Sequence, residues 1–270
     1  MWPVFAAYGA VLVWLLLANL ALVVGAGTSG VVSPRLLVAS LALNSASLVA
    51  ASLVGSHRAV DPPVRRLRTG PGRLPGRAVA LGVVGLLAVS QSLDSLLSLL
   101  GVRETGALGL LHATIAGMSG VMLALLLAVA GLAAPAAEEL FFRGFMQTRL
   151  RARLHPWPAI GVTALAFGLM HLDPVHGAFA LAVGLYLGWL TELAGSIRPA
   201  IAAHAANNLL SLVQTWLLPH PGSARVQMGL LAAHLVLAAG VIALLRRDRG
   251  AGSGSSVTVG SSSRASSSSR

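Results

Sequence analysis

Apolar residues in this chain fall into long runs, most of them the roughly 20 residues a helix needs to cross a bilayer. The runs predict helices at 2–27, 36–54, 78–100, 107–134, 159–172, 177–194, 197–218 and 226–245. A transmembrane barrel would instead show short alternating segments, and the sequence has none. The expected fold is therefore all-α: a polytopic membrane helix bundle of about eight transmembrane helices. Between the second and third runs, segment 57–77 carries four prolines and six arginines, a composition that argues against a helix throughout it. Residues 135–154 form a polar segment after the fourth run. Pro135 fits the first turn of a helix, which sets Glu138 and Glu139 near that helix's positive end. Pro156 and Pro158 then break the chain, and Asp173 to His176 reads as a turn.

The same pattern divides the chain into three parts. Residues 1–106 hold the first three helices, and residues 107–245 hold a five-helix core. Residues 246–270 are an Arg/Ser/Gly tail that cannot bury a core and is expected to be disordered.

Composition sharpens the membrane reading. The chain is 56% hydrophobic and 10% charged, against about 25% charged in a soluble domain. The formal charge is +11, and all the basic residues are arginine. They lie between apolar runs, so they point to topology and to no nucleic-acid partner. Arg58, Arg65, Arg66, Arg68, Arg73, Arg77, Arg149, Arg151, Arg153, Arg198, Arg246, Arg247 and Arg249 fall on one predicted side; Arg35, Arg103 and Arg225 fall on the other. The positive-inside rule makes the first side cytoplasmic, together with both termini. An integral, multi-pass protein follows, in the cell membrane if the source is prokaryotic, with the lipid bilayer as its surroundings. Residues 1–3 lack a basic leader, and the first run is long enough to span, so no cleavable signal is expected. The absence of cysteine excludes disulfides, thiolate metal sites and a cysteine nucleophile.

Three polar groups at membrane depth need a reason. The chain has eight acidic residues, and two of them, Glu138 and Glu139, are adjacent. Each costs about 2.5–3.5 kcal/mol at the centre of a membrane helix. Glu139 and Arg143 are four apart and share a face, so Arg143 answers Glu139. Glu138 lies about 100° round the helix and is free to face a cavity. The bland reading is that both carboxylates cap a helix. The second group is Phe167 and His171, one turn apart at the end of an apolar helix. The third is His204 and Asn208, one turn apart among alanines, where interhelical hydrogen bonding is the bland reading. Taken together they suit a water-activating site. Glu138 serves as general base, His171 shares the water, and His204 and Asn208 donate to an oxyanion. The alternative is a divalent metal such as zinc, held by Glu138, His171 and His204. Spacing leaves both open.

In this order the three groups resemble the CPBP family of intramembrane proteases, which covers CAAX prenyl endopeptidases and bacteriocin-processing enzymes. The motifs are Glu138-Glu139-Leu-Phe-Phe-Arg143, Phe167-Gly-Leu-Met-His171 and His204-Ala-Ala-Asn-Asn208, within roughly residues 125 to 220. The resemblance implies hydrolysis of a peptide bond inside the membrane. Glu138 and His171 would position the attacking water, and His204 and Asn208 would form the oxyanion hole. Glu139, Arg143 and Phe167 would support them. It implies a peptide or membrane-protein substrate, prenylated in part of the family. The family is commonly labelled metalloprotease, while its glutamate-type mechanism needs no metal. Two other classes compete: a non-catalytic interaction or immunity protein on the same fold, and a small transporter.

Overall fold

The computed structural model describes residues 2–26, 33–57, 63–103, 105–217 and 222–253. Regular structure among them is entirely helical. The helices are α1 (Trp2–Ala26), α2 (Pro34–Ser56), α3 (Pro63–Arg66), α4 (Gly76–Leu99) and α5 (Gly106–Ala116), then α6 (Gly120–Arg151), α7 (Pro156–Leu169), α8 (Pro174–Ala194), α9 (Arg198–Leu217) and α10 (Ala224–Ser253). Five of them, α2, α4, α6, α8 and α10, are long and apolar enough to cross a membrane. Shorter apolar stretches lie at Val4–Ala18 and Pro156–Leu169. Helix α9 falls outside both sets and carries His204, Asn207, Asn208 and Gln214.

Five boundaries differ from those expected. The run 107–134 is not one helix. Ser119 is extended and Gly120 has φ +55°, a left-handed conformation suited to glycine, so α5 stops and α6 begins afresh. Pro135 does not open a helix, because α6 passes straight through it. A π-helical stretch, Val129–Ala133, lies just before the proline, and the Ala134 N–H bonds five residues back to Val129. The first-turn placement of Glu138 and Glu139 is thereby overturned: both lie in mid-helix. Pro156 and Pro158 start α7 instead of interrupting the chain, since first-turn residues need no N–H partner. Asp173 to His176 is also a helix start. The Asp173 carboxylate accepts the His176 N–H at 2.8 Å and caps α8, with Pro174 in its first turn. At the C-terminus α10 runs to Ser253, past the expected limit of 245, and the rest of the tail lies outside the described residues.

The arginines gather at one end of the bundle, as their spacing predicts. Arg68 and Arg151 both reach Glu192, at 2.7 and 3.1 Å, and Gln147 donates to the same carboxylate at 3.0 Å. The described part of segment 57–77 includes the short helix α3 and docks on this end. The Arg73 N–H bonds Ala194, the Ile197 N–H bonds Arg68, and the Arg198 guanidinium bonds Thr69. Arg66 and Arg149 take the carbonyls of Ser56 and Gly55 at the end of α2. Leu245 packs with Ala78 and Leu193, which brings Arg246 and Arg247 to the same end. Arg35 and Arg225 open α2 and α10 at the opposite end, and Arg103 follows α4 there.

Helices α6, α7 and α8 form the centre. Gly184 and Gly188 of α8 leave no side chain between the backbones: a Cβ at Gly184 would lie 3.2 Å from Ala164, and one at Gly188 would lie 2.9 Å from Ile160. Their bare carbonyls accept from Arg143 at 3.0 Å and Gln147 at 3.1 Å, so two side chains one turn apart on α6 read two carbonyls one turn apart on α8. Phe141, Phe142, Phe145 and Phe167 pack around this seam.

Candidate active site

A second π-helical stretch, Leu140–Gln147, follows Glu139 in α6 and contains Arg143. Arg143 is fully buried and donates to Glu139 at 2.6 Å, as its spacing predicts. Its guanidinium lies 4.8 Å from the centre of the Phe167 ring. Two charges so deep need every available partner, and losing one member of such a pair typically costs about 3–5 kcal/mol. A third member was not expected. His204 Nδ1 lies 2.9 Å from the same Glu139 oxygen. Glu139 therefore aims the His204 ring from α9 as well as holding Arg143.

Glu138 faces the other way and lines a cavity of about 500 Å3, together with His171, His204 and Asn208. His204 Nε2 is 3.7 Å from a Glu138 oxygen. His204 thus spans both carboxylates, one with each ring nitrogen. His171 lies beyond the end of α7, in a turn where Leu172 has φ +56°, uncommon for a residue with a branched side chain. Its Nδ1 donates to the Phe167 carbonyl at 2.9 Å, which leaves Nε2 as the acceptor nitrogen. The Phe167 ring stands edge-on to both histidines, with centroids 5.1 Å from His171 and 5.8 Å from His204. It is the common spacer of the three sequence groups.

Asn208 is held by a backbone irregularity. In a regular helix the Ala130 carbonyl would bond the Ala134 N–H, but the π-helical stretch turns that N–H to Val129. The next residue in the π register is Pro135, which has no N–H. The freed Ala130 carbonyl accepts from Asn208 Nδ2 at 3.0 Å. One amide hydrogen remains on that nitrogen. Pro135, read from sequence as a helix start, instead helps to tie the third motif to the first.

The structure brings all seven residues singled out in the sequence into one neighbourhood. The conditional metal set fares differently. Among the described residues no group of three or more His, Asp or Glu side chains is placed to hold a metal ion, so Glu138, His171 and His204 do not form one. His204 Nδ1 is committed to Glu139. No step below is routed through a metal.

Three contributors lie outside the seven residues singled out in the sequence. His176 packs at a tilt of 58° against His171, with ring centres 4.3 Å apart, and also lines the cavity. Gln147 and Glu192 join α6, α8 and the arginine segment. Glu192 had a signal available, as an acid inside an apolar run in a chain with few acids. Gln147 had one too, as a polar residue one turn beyond Arg143.

No curated protein and no solved structure matches the chain. Residues 120–210 match the family model described as type II CAAX prenyl endopeptidase Rce1-like. The matched stretch begins with α6 and ends within α9, so it contains all three motifs and excludes α1 to α5. That family consists of integral membrane proteases, and five helices here are able to span a membrane. The chain is an integral membrane protein whose residues 120–210 are similar to Rce1-like CAAX endopeptidases, in agreement with the CPBP resemblance of its motifs.

Proposed function

We propose that the protein hydrolyses peptide bonds within the membrane, with Glu138 as general base. The observation that carries this reading is the convergence of Glu138, His171, His204 and Asn208, from different parts of the chain, on one cavity inside the helix bundle. Intramembrane ionisable groups are expensive and cluster at functional sites.

Water sits between Glu138 and the acceptor nitrogen of His171. As its oxygen attacks the substrate carbonyl carbon, one water proton passes to Glu138. The carbonyl oxygen becomes an oxyanion. It takes a hydrogen bond from the remaining Asn208 amide hydrogen and another from Nε2–H of His204, which acts as an imidazolium throughout while its Nδ1–H stays on Glu139. On collapse the C–N bond breaks, and Glu138 returns its proton to the leaving nitrogen. Glu139, Arg143 and Phe167 touch no reacting atom and act by holding His204 and His171.

The test uses the purified full chain in liposomes with a fluorogenic membrane peptide. Glu138→Gln keeps the shape and removes the base, so cleavage falls by roughly 10²–10⁴-fold. His171→Ala loses cleavage too, and both variants stay folded in the membrane. Undiminished cleavage by Glu138→Gln overturns the mechanism. If such a variant also supports the biological role in cells, a non-catalytic interaction protein takes its place.

A further inference from the structure

The cavity lies on one side of the site. On α6 its wall steps from Glu138 through Ala134 and Ala130 to Leu126, away from Arg149. On α9 it runs from His204 to Thr215, away from Arg198. On α8 it stops at Val183, well short of Glu192, and on α2 it runs from Leu48 to Leu37, away from Ser56. Toward the arginine end the way is blocked by fully buried Phe141, Phe142, Phe145 and Leu187.

The part remote from the arginines has one polar wall and one mixed wall. On α4 and α9, Gln91 and Gln214 exchange hydrogen bonds at 2.9 and 3.1 Å, and Asp94 pairs with Arg103 at 2.8 Å. On α2 and α5 the wall mixes Leu37, Leu41, Leu111 and Ile115 with Ser40, Asn44, Ser45 and Thr114. An extended peptide carries a donor and an acceptor at every residue and sends its side chains to alternate faces. It can trade main-chain groups for the glutamine–glutamine bonds on one side, and on the other it finds further polar partners beside leucines that bury its apolar side chains. An isoprenoid chain would cover the polar wall and return no hydrogen bond.

We propose that the site takes an unprenylated polypeptide segment, which enters from the arginine-poor end of the bundle. By the positive-inside rule that end faces away from the cytoplasm. The proposal rests on the endopeptidase reading for its chemistry and on the cavity for its route.

The chain has no cysteine, so single reporters can be placed in it directly. Ser211→Cys and Ser40→Cys stand on facing cavity walls, and Ala152→Cys is exposed at the arginine end. A membrane-impermeant maleimide added outside intact cells labels the two cavity reporters and spares Ala152→Cys until the cells are permeabilised. If Ser211→Cys and Ser40→Cys react only from the side that labels Ala152→Cys, the route is overturned. Labelling needs no turnover, so this result stands whether or not the endopeptidase reading survives. With Ser211→Cys placed in the Glu138→Gln background and purified, a saturating synthetic apolar peptide abolishes labelling, and its farnesylated counterpart protects less. Stronger protection by the farnesylated peptide, or none by either, overturns the substrate class.

Discussion

The two halves of the bundle solve the problem of buried polarity in opposite ways. Toward the arginine end, polar groups are sealed and paired across helices, although Glu139 Oε2, Arg143 Nε and Gln147 Oε1 have no hydrogen-bond partner. Glu139, Arg143 and Gln147 are fully buried, and Arg143 and Gln147 each bridge α6 to α8. On the other side of Glu139, Glu138, His171 and Asn208 stand around open space. The boundary falls between two consecutive residues, Glu138 and Glu139. One residue step of about 100° round the helix gives the same side chain two jobs, and His204 touches both.

Breaking the sealed half acts on stability first. Arg143→Met leaves the Glu139 carboxylate buried without its main partner and loses about 3–5 kcal/mol of stability, read as a lower thermal midpoint in detergent or lipid. The double variant Arg143→Met with Glu139→Leu recovers part of that stability and restores no cleavage. Breaking the open half acts on rate. Asn208→Ala lowers kcat by roughly 10²–10³-fold with little change in thermal midpoint, since it removes one donor to the oxyanion. An equal loss of kcat and of stability in that variant would move Asn208 into the sealed half. The contact farthest from the site gives a smaller effect: Glu192→Gln loosens Arg68 and Arg151 and costs about 1 kcal/mol or less, because that group is partly exposed. Smallest is Leu172→Gly. It relieves a left-handed leucine, partly offset by the greater freedom of glycine when unfolded, for a net change within about 1 kcal/mol. A drop in kcat in that variant, with binding unchanged, would show that the turn aims His171.

Much of this was legible in the sequence because the relevant signals are local. The apolar runs located most helices, and the i, i+4 spacings placed Glu139 with Arg143 and Phe167 with His171. What the sequence hid was the path of the backbone. A proline after a glycine- and alanine-rich run reads as a helix start, and only the π-helical register at Val129–Ala133 lets α6 continue through Pro135. The same register frees the Ala130 carbonyl for Asn208. The bond from His204 to Glu139 was hidden for a different reason. It joins residues 65 apart in the chain, and the sequence had answered Glu139 with Arg143 alone. Gly117, Ser119 and Gly120 did carry a signal for the break between α5 and α6, which the surrounding hydrophobicity masked.

The division of labour between the adjacent carboxylates is tested most directly by comparing Glu138→Gln and Glu139→Gln side by side, with cleavage rate and thermal midpoint measured on each. Glu138→Gln should lose cleavage at a wild-type midpoint, and Glu139→Gln should lower the midpoint by unseating Arg143 and His204. Wild-type cleavage in Glu138→Gln, or an unchanged midpoint in Glu139→Gln, would contradict the account.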